Sequence, residues 1–275
     1  MRFFILRIKM NNKLKDDLRP LKVKPKYKGD GEDIFYINQK LVNKKDEMAL
    51  TLMYICDRQL FGMGYRILMR ELFDGMGKKS GELICPFIKS QTILPTLSFP
   101  GDLDLLIIPY DNDQLIISKT LAVEVKVIRA KFLKQQKSPN DFGFSQANGL
   151  LEAGFPYVAV LHLIISDESP QDYWREVMMA RIIGHDGEAE SLGLLKKDMM
   201  PVDLIKRAYG RLNSNCLNAS IGLLASYLEL KEPHGKWFPT GRPALSNPKS
   251  SQDTFDKIAK FYYKNYEFFM DTSKW

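Results

Sequence analysis

The stretch Gly101-Asp102-Leu103-Asp104-Leu105-Leu106-Ile107-Ile108-Pro109, followed after a turn by Leu121-Ala122-Val123-Glu124-Val125-Lys126-Val127-Ile128, decides the fold. The second segment alternates strictly, with Val123, Val125 and Val127 on one face and Glu124 and Lys126 on the other, the period of a strand. The first is a short apolar run opened by two aspartates two residues apart. Between them Tyr110-Asp111-Asn112-Asp113 supplies turn chemistry, so residues 103–109 and 121–128 are expected to form an antiparallel hairpin.

Working outward, residues 83–88 read as a further short strand, and residues 157–165 form a near-continuous apolar run typical of a strand buried on both faces. Residues 144–153 have the pattern of a helix that stops at Gly154, which makes 121–128 and 157–165 parallel neighbours joined by a crossover helix. Upstream, apolar residues from 43 to 73 recur at three- and four-residue steps, as one long helix or two joined near Gly62-Met63-Gly64. Downstream, residues 171–183, 202–212, 216–229 and 252–270 read as helices, and the proline-rich stretch 232–251 as a loop. The expectation is an α/β fold with a mixed sheet in αβββαβ order. Residues 45–166 form its core, 1–44 a basic N-terminal arm and 167–275 a helical extension.

The 275-residue chain is 45% hydrophobic, 11% aromatic and 27% charged, which excludes wholesale disorder and fibrous repeats. Its apolar runs fall far short of the roughly 20 residues a membrane-spanning helix needs. The apolar run at residues 3–6 is shorter than the core of a signal peptide, and three scattered cysteines suit neither a disulfide framework nor a zinc knuckle; together these predict a cytoplasmic protein. The net charge of +7 is unevenly spread, +8 over residues 1–28 and −1 over the rest. Such an arm suits phosphate contact, or it is a solvated extension.

Period-2 geometry gives the charged residues their meaning. Asp102 and Asp104 share one face of their strand, Glu124 and Lys126 one face of theirs, and adjacent strands lie about 4.8 Å apart, so the carboxylates can converge. Converging carboxylates suit a hard divalent cation, and a lysine beside them can orient water or stabilise charge on a phosphate. The plainer alternative is a salt-bridged polar strand face. Four charges on what reads as a central strand pair need a compensating role, because unpaired buried charge is costly.

These motifs resemble the PD-(D/E)xK phosphodiesterase superfamily, which includes restriction endonucleases and Holliday junction resolvases. Gly101-Asp102-Leu103-Asp104 looks like its glycine-x-x-aspartate strand, and Ala122-Val123-Glu124-Val125-Lys126 like its ExK strand. The resemblance implies a restriction-endonuclease-like mixed sheet flanked by helices. It implies Asp104 and Glu124 as ligands of Mg²⁺, or of Mn²⁺, and Lys126 as the catalytic lysine. It points to Glu71 as a carboxylate joining the metal site from the preceding helix, and to Gln146 as the glutamine early in the crossover helix. The implied activity is metal-dependent hydrolysis of DNA, endo or exo, with RNA not set aside. The alternative is a non-catalytic DNA-binding or assembly protein that keeps the fold. A homodimer or partner subunits enter as further possibilities. Asp102 has no counterpart role.

The other candidates carry less. His162, His185 and His234 lack metal-ligand spacing, and His162 within an apolar strand reads as a core residue. The aromatic residues Phe261, Tyr262, Tyr263, Tyr266, Phe268 and Phe269 read as core or interface before base stacking.

Overall fold

The computed structural model describes residues 16–22, 37–95, 102–183, 188–230 and 237–272. Gly101 and most of the basic residues of the N-terminal arm lie outside them. The chain begins with β1 (Leu18–Pro20), then α1 (Gln39–Asn43), α2 (Glu47–Cys56), α3 (Arg58–Leu68) and α4 (Arg70–Phe73). The helical stretch expected as one or two helices is thus divided, and not at Gly62-Met63-Gly64. Asp57 interrupts it with a non-helical ψ of 85°, and its carboxylate then caps α3 by accepting from the Leu60 N–H at 3.0 Å. A side chain with its own acceptor offers the backbone an alternative to continuing the helix. Gly64 stays inside α3 because that helix packs closely: a Cβ there would lie 2.3 Å from Tyr54 Oη and 2.8 Å from Leu224 Cδ2.

Next come β2 (Ser80–Lys89), α5 (Ser90–Ile93), β3 (Asp102–Asp111), β4 (Gln114–Ile116), β5 (Leu121–Arg129), α6 (Phe144–Glu152) and β6 (Tyr157–Ile165). The expected hairpin between 103–109 and 121–128 is not formed directly. Asn112 and Asp113, at φ of 47° and 62°, turn β3 into the short β4 instead, as positive φ at both central residues of a tight hairpin does. A 3₁₀ turn at Ile117–Lys119 then delivers the chain to β5, which pairs antiparallel with β3 over Leu105–Ile107. The crossover is as expected, with β5 and β6 parallel from Leu121↔Tyr157 to Arg129↔Ile165 and α6 between them. Gly154, at φ 88°, follows the end of α6.

The last third departs most from expectation. It contains β7 (Arg175–Ile182), β8 (Ala189–Lys197), α7 (Met200–Asn215), β9 (Gly222–Tyr227), β10 (Thr240–Arg242), α8 (Gln252–Asn265) and β11 (Met270–Asp271). Residues 171–183 and 216–229, expected as helices, are mainly the strands β7 and β9. The region after 166 is therefore not a helical extension: β9 pairs parallel with β6, and the sheet runs on through it to β10. The expected helix 252–270 stops at Asn265, and β11 then pairs with β2.

The result is a mixed α/β architecture around one nine-stranded sheet in the order β1-β4-β3-β5-β6-β9-β10, with β2 on β3 and β11 on β2. One sheet face buries Leu105, Ile107, Val123, Val125 and Leu161 beneath α2 and α3. The other buries Leu106, Ala122, Val158 and Val160 beneath α6 and α8. β7 and β8 form a separate ribbon bearing the exposed Met178 and Leu194. No helix among the described residues is long and apolar enough to cross a membrane.

Candidate active site

The cluster forms where β3 and β5 part. Their ladder is confined to Leu105↔Val123, Leu106↔Ala122 and Ile107↔Leu121, so beyond Val123 the amides of β5 on that edge meet no strand among the described residues. Buried amides must find another acceptor, and here carboxylates provide it. The Val125 N–H donates to Asp104 Oδ2 at 2.7 Å, and the Val127 N–H donates to Glu47 Oε2 at 3.0 Å. Asp104 comes from β3, Glu47 from the first turn of α2, and both meet the same open edge of β5.

Glu124 and Lys126 project from β5 on the α6 side. Lys126 Nζ lies 2.6 Å from Glu124 Oε1 and donates to Gln146 Oε1 at 3.2 Å. The Glu124 side chain is only 1% exposed; Lys126 pairs with its Oε1, and among the described residues Oε2 has no donor. Above them runs the turn before α6. Gly143 has φ of 83°, and a Cβ there would lie 2.9 Å from Glu124 Cγ and 3.6 Å from Lys126 Cγ, so only glycine lets the backbone pass so closely.

The electrostatics follow from this crowding. Burial pushes the Asp104 carboxyl up to about 6; the Val125 N–H and Lys126 oppose the rise, and Glu47 and Asp102 add to it. Burial, then repulsion from Asp104, raises Glu124 further, against the pull of Lys126. Burial alone would lower the Lys126 ammonium, but Glu124, Glu47 and Asp104 together hold it above its ordinary value. The site thus carries excess negative charge that a cation would relieve.

Of the residues singled out in the sequence, Asp104, Glu124, Lys126 and Gln146 are brought together. Asp102 is exposed on β3 and acts on Asp104 only through its charge. Glu71 is exposed in the first turn of the short helix α4 and is not brought to the cluster. The carboxylate that the helical layer does bring to Asp104 and Glu124 is Glu47, which sequence reading passed over. The Asp46-Glu47 pair that opens this apolar helix signals only a helix start. His162 is buried as expected, but not fully satisfied: Nε2 lies 3.3 Å from the Phe142 carbonyl oxygen, while Nδ1 has no partner among the described residues. Burial lowers its pKa to about 4.

Among the described residues, no group of three or more His, Cys, Asp or Glu side chains forms a ready-made metal cage. Two carboxylates are nonetheless a fit for Mg²⁺, which keeps several waters and takes its remaining ligands from substrate phosphate. The buried carboxylate of Glu124, with Oε2 unpaired among the described residues, offers the hard oxygen donor that such an ion takes. No family model, no curated protein and no solved structure matches this chain.

Proposed function

We propose that the protein is a Mg²⁺-dependent nuclease of the PD-(D/E)xK type, built on a restriction-endonuclease-like sheet and hydrolysing DNA phosphodiester bonds. The observation that carries this reading is Glu124: a buried carboxyl beside Asp104, with Lys126 against one oxygen and no donor for the other among the described residues, a costly arrangement of the kind that clusters at functional sites. Asp104 and Glu124 would hold Mg²⁺ or Mn²⁺. When bound, the ion supplies a polarised phosphate and an acidified water. Lys126, steered by Glu124 and Gln146, places its ammonium where the attacking water and the phosphoryl charge are to be held. Glu47 fixes the position of β5 through the Val127 amide. The same chemistry serves RNA.

A second reading, a DNA-binding or assembly protein that has kept the fold without turnover, is favoured by the lack of a three-carboxylate cage among the described residues. Cleavage assays separate the two. Asp104→Ala, Glu124→Ala and Lys126→Ala are each expected to abolish Mg²⁺-dependent cleavage in a folded protein, EDTA to inhibit, and Ca²⁺ to support binding with little turnover. Wild-type protein that binds DNA but never cuts it with Mg²⁺ or Mn²⁺ selects the second reading.

A further inference from the structure

Beside the site, α7 carries two arginines one turn apart, Arg207 and Arg211, and both are anchored to the loop that leads from β5 toward α6. Arg207 donates from Nε to the Asp203 carbonyl oxygen at 3.1 Å and from Nη2 to Gln135 Oε1 at 2.6 Å. Arg211 donates from Nη2 to the Lys137 carbonyl oxygen at 3.0 Å. Every one of these acceptors is neutral. The nearest acid along the helix stripe, the Asp203 carboxylate, is taken by Arg175 at 2.9 Å, and that of Asp141 accepts from the Gly143 N–H at 3.1 Å. Among the described residues the two guanidiniums are thus held in place without a counter-anion, and each keeps N–H donors to spare, the condition in which arginine recognises phosphate. The loop adds exposed Lys131, Lys134 and Lys137, with no acid from 131 to 140.

The track passes the site at Arg211 and continues to a pocket. His162 stands opposite Lys126 in the sheet and feels the positive charge of both Arg211 and Lys126. One turn beyond Arg211 on α7 is Asn215, which with Phe144, Asn148 and Asn218 lines a cavity of about 480 Å³. An aromatic ring among amides suits an unstacked base, with its flat face and hydrogen-bonding edge. Successive side chains of the stripe are about 6 Å apart along the helix, a stride comparable to that between neighbouring phosphates of a strand.

We infer that α7 and the 131–141 loop form a track for a single nucleic-acid strand, with Arg207 and Arg211 each holding a backbone phosphate and the Phe144–Asn215 pocket seating a base. The proposed nuclease function enters only in directing that strand past Lys126. Binding of a labelled single-stranded DNA oligonucleotide, measured by fluorescence anisotropy in EDTA across a salt series, tests the inference without requiring cleavage. For the double variant R207Q/R211Q the slope of log affinity against log salt should become shallower by about 1.4, so that the loss between about 50 and 200 mM salt is about sevenfold smaller than in wild type. R207K/R211K, which keeps the charge, should retain the wild-type slope. Phe144→Ala should weaken binding by about fivefold or more at every salt concentration and leave the slope unchanged, because stacking is uncharged. Parallel salt plots for wild type and R207Q/R211Q overturn the track, as does a lysine pair that loses as much slope as the glutamine pair, or a wild type that binds no DNA. Unchanged affinity in Phe144→Ala overturns the base seat. These readouts do not involve Asp104, Glu124 or Lys126, so a failed cleavage test leaves them standing, and their failure leaves cleavage to its own test.

Discussion

Replacing Glu124 with glutamine should make the protein more stable in the absence of divalent metal. The carboxyl is 1% exposed, and burial with Asp104 alongside pushes its pKa up to about 8, from an ordinary value of 4.5. Between those two values the folded state keeps a proton that the unfolded chain releases, so stability falls as pH rises from about 4.5 to about 8. At pH 7 the difference of 2.5 units, at 1.36 kcal/mol each, is a penalty of about 3 kcal/mol. Glutamine preserves the volume and removes the ionisation. For a chain of 275 residues, roughly 2 °C per kcal/mol, the Tm of Glu124→Gln at pH 7 should rise by about 6 °C in EDTA, with the gain shrinking toward zero near pH 4.5. Millimolar Mg²⁺ should raise the wild-type Tm and leave that of the variant in place, because the liganding charge has gone. Calorimetry of both proteins in EDTA and in Mg²⁺ across this pH range reads all of this. A variant whose Tm curve runs parallel to wild type from pH 5 to 8 would refute the account of Glu124 as a carboxyl kept protonated by burial and by Asp104.

Three further outcomes rest on the same geometry. Gly143→Ala places a Cβ at positive φ and 2.9 Å from Glu124 Cγ, so thermal melts should show a loss of about 1–3 kcal/mol and cleavage assays a loss of turnover. Glu47→Ala leaves the Val127 N–H without its acceptor and should cost about 1–3 kcal/mol by urea denaturation, whereas Glu47→Gln, which keeps an oxygen there, should largely spare stability. A Mg²⁺ titration of Glu71→Gln, followed by Tm, should superimpose on wild type, since Glu71 is exposed on α4 and does not act on the cluster.

Much of the site was legible because period-2 alternation reports faces directly. Glu124 and Lys126 against Val123, Val125 and Val127 marked β5, and the apolar run that became β6 marked a strand with no solvent face. The same rule explains why β9 was missed. Gly222–Tyr227 is buried at all six positions, so it has no polar face, and a short apolar run of leucine and alanine reads equally as helix. The ribbon failed for the opposite reason: every described position of β8 up to Lys196 is exposed, so no alternation between core and solvent marks its period. Glu47 was hidden because its role depends on β3 leaving β5 after three residue pairs, a long-range event with no local signature.

That parting of β3 and β5 bears on self-association. A row of sheet amides without a neighbouring strand is a template on which a foreign chain can add itself, and most proteins keep such rows at the periphery, shielded by lysine, proline or a bulge. Here the open row lies in the interior of the sheet, and the Asp104 and Glu47 carboxylates occupy it. They satisfy the donors that an invading strand would need, and their charge disfavours its entry. The gap that makes room for chemistry is thereby closed to aggregation by the same acidic side chains.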